Sequence, residues 1–385
     1  MHTLSTPAKV SSALEKVIDD AINHQQLTGA VVLVALHGEV IHCITAGMAD
    51  RENDRPMSVD TLFRLASVSK PIVSSAAMVL VAQGKLGLDT NIRQWLPDFS
   101  PKLADGTAPV ITVRQLLSHT AGLGYSFFER DEDGAYARAG VSDGMDNSAV
   151  SLAENLYRIS QVPLLYSPGT AWGYSLATDV LGAVVASASG TTLSVAVREL
   201  VTDPLAMFDT GFVARDATRV AAAYVTDSPS PHRLQEGEII PVFPETSGIV
   251  FSPARIFNPH AFPSAGAGMV GSAGDFLRLL EALRDGNEKL LPHAMVAEME
   301  RDQTAGMALP DMPGVGFGLG FSVLREPAQA ASPESTGTWR WGGAYGHSWF
   351  VDRPRGLSVV AFTNTLYEGM SGKFVNDLRD AVYAQ

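Results

Sequence analysis

Apolar positions at Val10, Leu14, Val17, Ile18 and Ile22 recur at helical spacing and predict an amphipathic helix over 10–26, closed by Gly29. An unbroken apolar run follows at 30–35. A turn at His37-Gly38-Glu39 and a returning run at 40–44 complete a hairpin, so the sheet begins antiparallel. A dinucleotide fold would begin with a strand, a Gly-rich turn and a helix. After a polar stretch over 47–56, residues 69–82 are apolar on all sides, which predicts a helix buried in the centre of the protein. Shorter helices are expected over 84–96, from Thr112 with Gln115 as its reciprocal cap, and over 147–160 and 175–198. Residues 226–266 are rich in Pro, Ser and Gly and read as a long ordered loop region. A helix from Ser272, a strand over 317–323, a hairpin over 348–352 and 357–364, and a helix over 375–383 end the chain. Strands at both ends with helices between them make an α+β fold. The expected division is a sheet domain from 1–85 and 200–385, with a mainly helical domain over 86–199 inserted.

Composition narrows the function. The 385 residues allow one large core or two cooperating lobes. A net charge of -13, with no basic run, argues against nucleic acid as a partner. The single cysteine, Cys43, allows no intrachain disulfide and reads as a small packed hydrophobe in a strand. The first residues lack a charged segment followed by an apolar one, and no membrane span is visible, so a cytoplasmic protein is expected. The nine histidines form no metal-ligand pattern, and neither a metal nor another cofactor is expected. Oligomeric state is left open.

Lys70 alone among the lysines has a serine three residues before it. Positions i and i+3 share a helix face, so Ser67 and Lys70 can meet at the start of the buried helix. A helix N-terminus favours a developing anion, and burial disfavours the ammonium form of a lysine. The pair therefore suits covalent acyl transfer, with Ser67 as nucleophile and Lys70 as base.

Further motifs fall in order along the chain. Ser67-Val68-Ser69-Lys70 resembles the first motif of the serine beta-lactamase and penicillin-binding-protein superfamily. The segment 116–123 resembles one common in its class C branch. Tyr174-Ser175-Leu176 resembles its second motif, Tyr-x-Asn, and Trp341-Gly342-Gly343 occupies the place of the third, Lys-Thr-Gly. That third form is similar to family VIII carboxylesterases, and the resemblance covers residues 10–385. It implies a beta-lactamase/transpeptidase-like fold with the active site between the two domains. It also implies that Tyr174 passes a proton to the leaving alkoxide and that the N–H groups of Ser67 and Ala344 form an oxyanion hole. Whether Lys70 or Tyr174 is the main base stays open. The two glycines are expected to let substrate approach the backbone closely.

Departures from the motifs sharpen the expected substrate. Leu176 stands where the family has an amide, and Trp341 replaces a cation with an apolar wall. Both changes suit small neutral esters of short acyl chains and disfavour beta-lactams, although removal of an acetyl ester from cephalosporins fits. A beta-lactamase, D-aminopeptidase, acyltransferase or transesterase of the same fold is the alternative, and a non-catalytic interaction protein a more distant one. Tyr125, Phe127 and Phe128 are candidate pocket residues, as are Leu176 and the Trp341-Gly342-Gly343 segment. His347 is a candidate for substrate contact, and His119 reads as structural. A rival nucleophile, Ser142 in Gly140-Val141-Ser142-Asp143-Gly144, lacks the preceding apolar strand that a Gly-x-Ser-x-Gly elbow needs.

Overall fold

The apolar run near the start of the chain becomes the middle of a sheet. Gly29–Leu36 pairs with Glu39–Asp50 on one side and with Leu357–Thr363 on the other. The eight strands run Val315–Phe317, Ser322–Leu324, Trp339–Gly343, His347–Asp352, Leu357–Thr363, Gly29–Leu36, Glu39–Asp50 and Arg55–Pro56, each neighbour antiparallel. Both chain ends thus build one sheet. This is a computed structural model, and it describes residues 7–131, 133–286, 288–304 and 306–384. The first six residues, part of the stretch expected to carry no leader, lie outside the described residues.

Alternation along the central strand sends side chains to two cores. Val31 and Leu33 pack inward with Phe63, Ile72 and Trp349. Ala30, Val32 and Val34 pack outward with Leu14, Phe374 and Leu378, from the helices Pro7–Asn23 and Lys373–Tyr383. The inner core continues without a break into Ser69–Ala82 and Ala177–Ser189. Between 86 and 199 every described helix or strand element is helical. Among the described residues, no single helix is long and apolar enough to cross a membrane.

Several element limits differ from the sequence expectation. The first helix stops at Asn23. Gly29 instead opens a strand opposite Gly47, where a β carbon would sit 2.5 Å from the Met48 carbonyl oxygen. The second strand runs on to Asp50, and Cys43 faces solvent on it rather than packing. Residues 315–324 are a tight hairpin, not one strand, turned through Gly320 at a φ of 107°. The helix expected over 147–160 begins only at Leu152, under a Ser151 cap. The expected helix over 175–198 breaks at Gly190 and restarts at Leu193 under a Thr192 cap. Thr112 and Gln115 do form a reciprocal capping box.

Candidate active site

Ser67 is positioned by a short strand and a turn. Leu62–Arg64 pairs with Val270–Ser272, and the Leu65 N–H donates to Met269 at 2.9 Å. Ala66 then adopts a φ of 45°, a region that side-chain-bearing residues seldom enter. One tight turn, Ala66–Val68, leads into the buried helix Ser69–Ala82. Ser67 is thereby half-buried, at the boundary of a cavity and at the positive end of that helix.

Two side chains converge on the Ser67 hydroxyl. Lys70 Nζ lies 3.2 Å from Oγ, one helix turn on, and the Tyr174 hydroxyl lies 2.6 Å from it. Lys70 also donates to the Gly266 carbonyl at 2.8 Å, and its Nζ sits 4.6 Å from the centre of the Tyr174 ring. Trp341 Nε1 donates to the Tyr174 oxygen at 3.4 Å. Trp341 also meets the Phe317 ring edge-on, so an apolar wall stands beside the tyrosine.

Behind this group lies a residue that motif reading did not find. Asp179, fully buried in the first turn of Ala177–Ser189, accepts from Ser264 Oγ at 2.7 Å and from the Gly266 N–H. Its carboxylate thereby fixes the loop whose carbonyl holds Lys70. Burial raises the Asp179 carboxyl, with the Ser264 hydrogen bond and Lys70 opposing. The available signal was a lone acid in an otherwise apolar helix.

Three of the pocket expectations are corrected. Leu176 is fully buried in the inner core and does not line the cavity. His347 is also fully buried. Its Nε2 pairs with the Arg64 carbonyl at 2.7 Å, so it supports the strand that enters the Ser67 turn instead of touching substrate. Burial pushes its imidazole down to about 4. Gly343 admits the protein's own backbone, because a β carbon there would lie 2.5 Å from the Leu65 carbonyl oxygen. Gly342 borders the cavity but likewise faces its own chain, with the His347 carbonyl 2.7 Å from the site of a β carbon. Ala344 is buried and borders the same cavity as Ser67. It follows an interior strand, whose pairing with its outer neighbour ends at Arg340.

His119 is buried, and its Nδ1 accepts from the Ser175 N–H at 3.3 Å. Burial, and Lys70 nearby, hold it well below its ordinary value. Ser142 lies apart. Its Oγ donates to Asp146 and accepts from the Gly144 N–H, and Asn155 clamps its backbone at 2.9 Å on both sides. It does not line the cavity. Among the described residues no cluster of His, Cys, Asp and Glu could hold a metal ion.

The cavity above Ser67 has a volume of about 910 Å³. Tyr125 and Phe127 stack on its wall with ring centres 4.4 Å apart, and Phe128 and Phe243 continue that wall. Such a space suits an apolar group of drug-like size.

The Beta-lactamase family model matches residues 14–384. The chain is 50% identical over 380 residues to esterase EstB of Burkholderia gladioli, covering 98% of this chain and 96% of that one. The structure is similar to that of EstCE1, described as a hydrolase with promiscuous acyltransferase activity. The TM-score is 0.96 at 44% identity, over 98% of this chain and 99% of the other.

Proposed function

The chain belongs to the beta-lactamase family, and from that membership we propose that it is a serine carboxylesterase working through an acyl group carried on Ser67. The observation that carries the reading is one hydroxyl held between two proton-handling groups, Lys70 at 3.2 Å and Tyr174 at 2.6 Å. Ser67 Oγ attacks the ester carbonyl carbon, and its proton passes to Lys70 directly or with Tyr174. The N–H groups of Ser67 and Ala344 meet the charge that builds on the carbonyl oxygen. The bond to the alcohol oxygen breaks, and Tyr174 returns a proton to the leaving alkoxide. Water then adds to the acyl carbon, gives its proton to the same pair, and Ser67 leaves reprotonated. The products are an acid and an alcohol.

The Trp341 wall supports neutral esters, since an apolar ring packed on Tyr174 and Phe317 stands where the family motif carries a lysine, and the neighbouring Arg340 is paired with Glu334. A short acyl chain would fill little of 910 Å³, so the room favours a short acyl group joined to a bulky apolar alcohol. The acetyl ester of a cephalosporin matches this in its short acyl group and bulky alcohol part, but that part carries a carboxylate, so neutral esters are preferred over it. An alcohol in place of water would give acyl transfer by the same steps, the activity the description of EstCE1 ascribes to that protein. A cytoplasmic location is proposed with this function; the lone Cys43, which permits no intrachain disulfide, is compatible with it.

The test is turnover of p-nitrophenyl acetate and butyrate by wild type, Ser67→Ala and Ser142→Ala. Ser67→Ala is expected to lose activity by about 10⁴-fold or more, and Ser142→Ala to keep most of it. Activity lost only in Ser142→Ala would sink the assignment.

A further inference from the structure

The Gly-x-Ser-x-Gly segment has no place in the acylation machinery, yet it is tied down on every side. Asn155 holds the Ser142 backbone, and Ser142 Oγ holds Asp146 and the Gly144 N–H. Gly144 lies against Ser264, where a β carbon would come within 2.1 Å of Oγ. The segment is thus wedged beside the loop that holds Lys70.

From this anchored segment Asp143 reaches the turn Ser126–Phe128. Its Oδ1 accepts from the Ser126 N–H at 3.1 Å. Its Oδ2 accepts from the Phe127 N–H at 3.2 Å and from Ser126 Oγ. The turn and the residue before it carry three rings of the cavity wall, Tyr125, Phe127 and Phe128. Tyr125 and Phe128 also meet the Tyr174 ring, with centres 5.3 and 6.4 Å away. Three donors on one carboxylate give a latch whose strength depends on its charge.

We propose that Asp143 is a positioning residue for substrate selection: it holds the 126–128 turn so that Tyr125, Phe127 and Phe128 form the wall that receives the bulky apolar part of the ester. This rests on the Ser67 reading and adds to it the residue that sets which esters are accepted. The groups facing the carboxylate are the phenols of Tyr125 and Tyr136 and the carboxylates of Asp146 and, beyond Tyr136, Glu129. The guanidinium of Arg255 reaches the Asp146 carbonyl at 2.6 Å. Burial pushes the Asp143 carboxyl up to about 7, against the pull of its three donors. The latch therefore changes charge near neutral pH.

The experiment compares wild type with Asp143→Asn and Ser126→Ala on ethyl acetate, 1-naphthyl acetate and ethyl 1-naphthylacetate. A serine-reactive phosphonate checks that Ser67 is intact in each protein. For Asp143→Asn the ratio of kcat/KM, naphthyl ester over ethyl acetate, is expected to fall about tenfold for at least one naphthyl ester, through KM. Ser126→Ala, which removes one donor, is expected to move the same ratio in the same direction by less. In wild type, KM for that ester should rise as pH falls through about 7, and Asp143→Asn should lose this titration. Ratios unchanged for both naphthyl esters, including an equal loss on all three substrates, would overturn the proposal. So would a titration that survives in Asp143→Asn. Failure of the Ser67 reading would show separately, as ester turnover that persists in Ser67→Ala.

Discussion

A serine hydroxyl is a weak nucleophile until something takes its proton. At Ser67 two candidates stand at hydrogen-bond distance, while Ser142 has only a carboxylate that binds it into a turn. The difference lies in surroundings, since both serines sit in sequence motifs associated with catalysis. Tyr174 is where the proposed steps meet, because it contacts Ser67 and is itself contacted by Trp341. Tyr174→Phe keeps the ring, and hence the packing against His119 and Trp341, but removes the oxygen. It is expected to lower kcat for p-nitrophenyl acetate by about 10³-fold with KM little changed. A loss that falls on KM alone would remove Tyr174 from the proton path. The Ser67, Lys70 and Tyr174 group was legible because its spacing and order survive in one dimension. Asp179 was not, because its meaning depends on the loop 264–266, which the fold brings to it.

Elements place the serine by contacts that no local pattern predicts. His347 supports Arg64 across 283 residues of sequence. Gly343 lets the Trp339–Gly343 strand touch the Leu65 carbonyl. The sequence suggests substrate contact for both, Gly343 as the last residue of the third motif and His347 as its near neighbour, and the structure gives them to the scaffold instead. His347 also has a consequence for stability. Its folded value of about 4 lies below the ordinary 6.5 because burial disfavours the charged ring. The unfolded chain therefore binds the proton more readily between those values. The stability this group contributes is complete above about pH 6.5 and is lost as pH falls towards 4, by about 3 kcal/mol in all. Urea midpoints measured from pH 7 to 4 should show this decline, and His347→Gln should flatten it. An equal decline in the variant would mean that other groups carry it. The regular elements were easier to foresee. The unbroken apolar run over 30–35, which packs into a core on each face, and the all-round apolar character of 69–82 each reflect the layer into which the segment packs.

At the scale of the whole molecule, the sheet joins the two chain ends and the helical segment closes over its inner face. The α+β class was legible because strand-like and helix-like periods occupy different parts of the chain. The hairpin over 315–324 reads in the sequence as one strand over 317–323 because its two arms are only three residues each, too short to show a period. The inner core continues from the sheet into the helical segment, and Ser67, Tyr174 and Trp341, which come from distant parts of the chain, border one cavity. The account makes that meeting point the seat of covalent chemistry. The most direct test is mass spectrometry of the intact chain and its peptides after reaction with a p-nitrophenyl phosphonate ester. One phosphonyl adduct is expected, on the peptide containing Ser67, forming in step with loss of esterase activity. An adduct on the Ser142 peptide that tracks the loss, or full inactivation with Ser67 unmodified, would contradict the account.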